Sequence, residues 1–392
     1  MIIGVSSIIR KGILYMEIYI VKSGDTIDSI AESLDIDVNQ LIYDNQLIYP
    51  YELAVGQALL VNRNVREATR SISVSGYAYP FISPWVLNQT LPYLSELPIF
   101  SYGFTAEGEL IPPSYGDDEP LIAAAINYSV QPILTLTPFG TDGRFNNRLI
   151  NSVVNNVEYR DNLIQNLLEI MNIKGYAGVD VDFEYILAED RDAFTAFVGE
   201  LADVMRANGY HTSVALAPKT SKDQKGLLYE GKDYQALGEI ADHVLLMTYE
   251  WGYTYGPPMA VAPLNQVRRV VEYAITEISP DKIDLGIPNY GYDWPLPYER
   301  GETKAETIGN IQAIRIAVEN GAVIYFDEVA KSPYFNYVRD GIEHEVWFED
   351  VRSLQAKFDL IKEYELRGAG YWTIMQWFRA NWQLLYNNFY HI

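Results

Sequence analysis

Residues 177–185 read AGVDVDFEY. Asp180, Asp182 and Glu184 recur at every second position, with Val179, Val181 and Phe183 between them. On a β-strand alternate side chains share one face. The pattern therefore predicts a central strand with three acids on one side and an apolar side turned toward covering helices. In a closed parallel barrel the acid side faces the interior, where branched aliphatic residues normally pack. Burying an unpaired charge is costly, so three acids in a row require a chemical reason. Neighbouring carboxyls cannot all ionise freely, and at least one keeps its proton to higher pH. A protonated carboxylic acid near neutral pH is what an acid catalyst needs. Glu184, last of the three, is expected nearest the C-terminal rim, where barrel sites open, and is the candidate proton donor. Asp182, one pleat deeper, is placed to hold a polar substrate group. Two other readings stand beside this one: an exposed acidic strand face, and a magnesium or calcium site. The apolar flanks favour a buried strand, and ligands for such ions usually come from several strands.

Around this segment the chain alternates. Short apolar runs occupy residues 71–79, 98–104, 132–139, 177–185, 212–218, 243–251, 282–292 and 368–377, with helical periodicity over 161–173 and 191–209 among the intervening stretches. Eight strands with helical crossovers predict an α/β fold, a (β/α)8 TIM barrel over residues 72–392. The acidic segment is the fourth strand. The long gap between strands 7 and 8, about 296–349, reads as a small α+β insertion that walls one side of a cleft.

Residues 16–62 form a separate pattern of strand, helix, helix and strand. Asp25 or Thr26 caps the first helix, Asp37 caps the second, and Gly56 turns the chain into the closing strand. Residues 1–15 are an N-terminal extension without the layout of a cleavable secretory signal. Residues 63–71 are a polar linker, short enough to keep the module beside the barrel.

Bulk properties narrow the partners. The 392-residue chain carries a formal charge of −23, the wrong sign for phosphate backbones or anionic membranes, so neither nucleic acid nor membrane is an expected partner. It has no cysteine, and its four histidines, His211, His243, His344 and His391, are too scattered in sequence for a metal cluster. No metal and no cofactor are expected, and the chain is read as a monomer.

YIVKSGDTIDSIAESLDIDVNQLIYDN followed by VGQALLV (19–45 and 55–61) resembles a LysM module, which implies binding of glycans that contain N-acetylglucosamine. GVDVDFEY resembles the DxxDxDxE signature of family 18 glycoside hydrolases, the chitinase-like barrels, with Ala177 where the family's first Asp stands. Further matches are Met247, Tyr249 and Glu250 in LLMTYEW, and Trp372 in GAGYWTIMQW. The resemblance implies retaining hydrolysis assisted by the substrate's own 2-acetamido group. In it Glu184 is the acid/base, Asp182 orients the acetamido group, Tyr249 contacts it and Glu250 contacts the sugar. Asp180 completes the acidic row, Trp372 floors the central subsite, and Asn289 and Tyr290 are lining candidates. GYAYPF, LMTYEWGYTYGPPMAVAPLNQV and YWTIMQWFRANW, together with the LysM pattern, resemble the spore-germination branch of that family. This implies an N-acetylglucosaminidase acting on cortex peptidoglycan and a spore-associated location. A chitinase, or a non-catalytic glycan-binding coat protein, are the alternatives.

Overall fold

The computed structural model describes residues 17–63, 68–141 and 143–391. The N-terminal extension and the centre of the linker lie outside the described residues.

Eight parallel strands close a barrel: β1 (Ser71–Gly76), β2 (Glu96–Phe104), β3 (Gln131–Leu136), β4 (Gly178–Val181), β5 (His211–Leu216), β6 (His243–Leu246), β7 (Ile283–Pro288) and β8 (Gly368–Trp372). β1 pairs with β8 on one side and meets β2 at Ser75 and Glu96 on the other, which completes the ring. The order around the barrel follows the chain, as right-handed β-helix-β connections dictate. Residues of one parity point outward. Val179 and Val181 on β4, Val214 and Leu216 on β5, and Leu285 and Ile287 on β7 are fully buried under the helices. Phe183, just past β4, stacks between Phe104 on β2 and Phe197 on the helix Arg191–Ala207. The other parity lines the interior with small or polar residues: Ser73 and Ser75 on β1, Thr135 on β3, Asp180 on β4, Ser213 on β5 and Gly370 on β8. A Cβ at Gly370 would lie 2.4 Å from Leu245 Cδ1, so any larger residue there would displace that leucine.

The expected insertion lies between β7 and β8, but its sheet begins earlier than residue 296. The chain leaves β7 and at once forms Gly291–Pro295, which pairs with Glu306–Ile308 and Ile342–Trp347. Ser332–Arg339 and Tyr325–Asp327 complete this antiparallel sheet, and the helix Asn310–Glu319 packs on it through Ala313, Ile316 and Ala317. The apolar run 282–292 therefore serves two sheets, because Asn289 and Tyr290 interrupt it.

The N-terminal unit has the expected order. Glu17–Ile20 pairs antiparallel with Ala58–Val61 around the helices Ile27–Leu34 and Val38–Asp44. Thr26 and Ser29 form a reciprocal capping box on the first helix, and Asp37 accepts the Asn39 amide at the second. This unit docks on the barrel. Arg379 pairs with buried Asp44 at 3.0 Å and lies 3.9 Å from the Tyr43 ring centroid, and its amide donates to Gln46 at 2.6 Å. On the insertion side the Ile324 amide donates to Val55 O at 2.8 Å.

At the N-terminal end of the barrel, buried charges replace an apolar plug. Arg367, preceding β8, spans Glu96 on β2 and Asp284 on β7, and His243 on β6 sits 3.3 Å from Glu96. Such a cluster holds only if each charge is answered.

Candidate active site

The acidic row opens at the opposite, C-terminal end. Regular pairing of β4 stops at Val181, and the Asp182 amide extends it by one bond to Leu136 O at 2.9 Å. Glu184 therefore sits in the segment that follows the strand rather than on the strand itself. Tyr185 adopts a positive φ of 56° and turns the chain away. The alternation persists past the strand end, since Phe183 packs among the outer phenylalanines while Asp182 and Glu184 turn to the barrel mouth.

The three acids occupy different environments. Asp180 is 1% exposed and satisfied: Tyr77 donates to it at 2.7 Å and Ser213 at 2.7 Å. Burial raises its proton affinity above the usual carboxylate range, and those two hydroxyls restrain the rise. Asp182 is buried, and its Oδ1 has no hydrogen-bond partner among the described residues. Burial pushes its carboxyl well above the usual range, and the charges of Glu184 and Asp180 push it further. Glu184, half-buried, is raised by burial and by Glu250, with Lys232 opposing. The row thus grades from a hydrogen-bonded anchor to a coupled pair that retains protons.

Asp182 and Glu184 face a cavity of about 220 Å³ walled by Tyr77, Tyr79, Phe100, Phe139, Phe145, Leu245, Met247, Tyr249, Glu250 and Trp372. The Trp372 ring lies 5.0 Å from Phe100, 5.6 Å from Tyr77 and 6.1 Å from Tyr79, so three aromatic rings fix its plane. An exposed indole face of this kind takes the apolar C–H face of a pyranose. Burial holds the Tyr249 phenol protonated far above neutral pH, and the acids add to this, so it is a hydrogen-bond donor. Met247 also lines the cavity. Glu250 is an exposed residue at the cavity rim whose carboxyl turns inward, Oε1 accepting from the hydroxyls of buried Tyr290 and Tyr292. Burial of its carboxyl raises its proton affinity, while the two phenols counter the rise.

A second lobe, lined by Asn289, Tyr290, Gln312, Met375 and Gln376, shares Tyr79, Glu250 and Trp372 with the first and continues the cleft toward the insertion. Asn289 has a bracing task there. Its amide donates to Thr373 O at 3.0 Å and Gln376 O at 2.9 Å, fixing the segment after β8. Tyr290 likewise acts through Glu250.

All nine candidates gather around this cleft or directly beneath it. Sequence reasoning missed Tyr77, Ser213, Tyr79, Phe100 and Lys232. Ser213 carries a legible signal, since it occupies the inward parity of β5 beside Asp180. Lys232 sits in a loop without periodicity and carries none.

A barrel with paired, proton-retaining carboxyls at its C-terminal mouth and an aromatic floor is the architecture of a glycosidase, and the chain belongs to family 18 of the glycosyl hydrolases, whose model matches residues 139–376. A LysM domain model matches residues 19–62. Among its relatives is the cortical fragment-lytic enzyme of Bacillus subtilis, 38% identical over 95% of this chain and 98% of that protein. The crystal structure of the Bacillus megaterium spore cortex-lytic enzyme SleL superposes with a TM-score of 0.91 at 34% identity, covering 96% of this chain and 99% of that one. A Chromobacterium violaceum chitinase shares the fold at 23% identity and a TM-score of 0.74, covering 81% of this chain and 99% of that one.

Proposed function

We propose that this chain is a spore-associated, monomeric N-acetylglucosaminidase that cleaves cortical peptidoglycan fragments with retention of configuration. The observation that carries the reading is the buried, unpartnered Asp182 Oδ1 beside Glu184 in an aromatic cavity. A buried acceptor without a donor is costly, and the N–H of a substrate's 2-acetamido group supplies the missing bond. The sugar bound at that point lies on Trp372, with the Tyr249 hydroxyl donating to the acetamido oxygen.

The steps follow. Glu184 protonates the glycosidic oxygen as the C1–O bond breaks, and the acetamido oxygen bonds to C1. Asp182 holds the acetamido nitrogen as positive charge develops on the ring so formed. Glu184, now a carboxylate, takes a proton from water as the water oxygen bonds to C1 and the acetamido oxygen leaves. Asp180 anchors the row through Tyr77 and Ser213. Holding an internal nucleophile in place exploits the high effective concentration of intramolecular attack, and family 18 is a known departure from the two-carboxylate scheme. The choice of cortex over chitin rests on similarity to the cortex-lytic relatives along nearly the whole chain, LysM region included. The LysM unit, docked on the barrel, would hold the same class of glycan.

Digestion of spore cortex fragments, followed by mass analysis of the new reducing ends, tests the assignment. Wild type should release N-acetylglucosamine ends, and Glu184→Gln should lose about 10²–10⁴ in kcat while still binding. Turnover of chitin oligomers but not cortex would make the chain a chitinase. Tight binding without turnover of any N-acetylated glycan would leave only a lectin.

A further inference from the structure

We propose that Lys232, which lies outside the acidic strand, is a positioning residue for the hydrolysis: its ammonium, fixed on the Ala215 carbonyl at the cavity wall, offsets part of the negative charge that Asp182 and Glu184 carry through the reaction.

Lys232 is 1% exposed, an unusual burial for a lysine. Its Nζ donates to Ala215 O at 2.5 Å. Ala215 lies on the inward parity of β5, in register after Ser213, and lines the same cavity as Asp182 and Glu184. The loop that delivers the lysine is pinned at several points. Lys219 Nζ donates to Lys232 O at 3.1 Å. Asp233 caps the helix Tyr234–Ile240, and the Tyr234 hydroxyl donates to Ala217 O. Gly231 passes so close to Ile186, just beyond the acidic row, that a Cβ there would lie 2.5 Å from the Ile186 Cβ and carbonyl oxygen. The fold therefore fixes this ammonium on Ala215, at the wall of the cavity that Asp182 and Glu184 line.

One carbonyl does not compensate a buried ammonium, whose transfer from water costs several kcal/mol. The remaining compensation is the charge of Asp182, Glu184 and Asp180: burial lowers the proton affinity of Lys232, and these three carboxyls oppose the drop. The other titratable groups that act on the acids or respond to them are Glu250 and the phenols of Tyr77, Tyr79, Tyr185 and Tyr249. Glu250 raises Glu184, the Tyr77 hydroxyl is on Asp180, and Tyr249 is a protonated phenol. Lys219 spends its ammonium on the Lys232 carbonyl. Lys232 is thus the cation that acts on both members of the pair.

The consequence rests on the hydrolase reading. When Glu184 gives its proton to the leaving oxygen it becomes a carboxylate in a poorly solvated site. A fixed ammonium stabilises that charge. Without it, Asp182 and Glu184 would hold their protons more tightly, and Asp182 would be less available to hold the developing cation.

The test compares wild type with Lys232→Gln, Lys232→Met and Lys232→Arg. The pH profile of kcat/KM is recorded on cortex fragments, and Glu184 is titrated by carboxyl-carbon NMR, its signal assigned by loss in Glu184→Gln. Removing the cation should move both limbs upward by about one pH unit, a tenfold change in proton affinity, with kcat down about tenfold or more. Lys232→Gln keeps a donor for Ala215 O and guards against misfolding of the methionine variant. Lys232→Arg should restore the wild-type limbs. An unmoved Glu184 titration in folded Lys232→Gln would overturn the proposal, and so would limbs that stay in place while kcat falls. Absence of wild-type turnover would instead remove the hydrolase reading, and the titration would still decide the charge relation.

Discussion

Tyr77, immediately after the first barrel strand, donates its hydroxyl to Asp180 on the fourth at 2.7 Å, a contact through the barrel interior between non-adjacent parts of the ring. Together with Ser213 it keeps the deepest acid satisfied while the two outer acids remain reactive. Replacing Tyr77 with Phe leaves one buried carboxyl oxygen without its donor. A hydrogen bond to a charged group is worth roughly 1.5–3 kcal/mol. Tyr77→Phe should therefore lose about that much unfolding free energy, with kcat reduced about tenfold and KM nearly unchanged. Denaturant unfolding and steady-state kinetics check both; unchanged values would show that Asp180 does not depend on this contact.

The charge of Glu184 raises the demand of Asp182 for a proton, and because two interacting sites titrate as a pair, neutralising one should relieve the other. In Asp182→Asn the like charge disappears, and Glu184 should ionise at lower pH. The alkaline limb of kcat/KM, which reports loss of the Glu184 proton, should move downward, opposite to the shift expected on removing Lys232. kcat should also fall about 10²-fold, because the acceptor for the acetamido nitrogen loses its negative charge. A limb that moved upward would mean that the pair does not interact through charge.

The buried cluster at the N-terminal end of the barrel predicts a stability profile. Burial alone would raise the Glu96 carboxyl, but His243, Arg367 and His211 outweigh it and hold it below the ordinary range. Its contribution is present above the unfolded-state value, about 4.3, and is lost as the pH falls toward the depressed native value. Burial opposes charge on His243, but Glu96 and Asp284 outweigh it and raise its proton affinity. That contribution is complete below about 6.5 and fades as the pH rises through the raised native value. Both are present together between about pH 4.5 and 6.5. Thermal unfolding across pH should show its plateau there. His243→Gln should flatten the decline on the upper side and leave the lower side in place. Arg367→Ala should destabilise the barrel by about 3–5 kcal/mol, because it strands Glu96 and Asp284 together.

Arg379 ties the N-terminal unit to the barrel through Asp44, the Tyr43 ring and Gln46. Arg379→Ala leaves Asp44, 1% exposed, with Gln40 as its remaining partner. The unit should loosen without unfolding, since its own core of Ile27, Ile30, Leu41, Leu59 and Val61 is untouched. Amide exchange should accelerate at 43–47 and 378–383, while kcat on short fragments stays at the wild-type value. Protection equal to wild type would show that the dock does not depend on this arginine.

Local periodicity determined much of this protein in advance. Alternation along GVDVDFEY set three acids against three apolar residues, and a strand admits only two faces, so the inward row followed. The eight apolar runs and the N-terminal caps were legible for the same reason: their signals lie within a few residues of one another. What the tertiary structure decided are relations across the ring. Tyr77 and Lys232 lie 103 and about 50 positions from the acids they serve, and no local period encodes contact at that separation. The early start of the insertion sheet at Gly291 was also a tertiary outcome, because residues 282–292 are apolar enough for either sheet and only pairing partners divide them. The proton affinities belong to the fold as well, since they depend on burial and on charges that meet only once the barrel has closed.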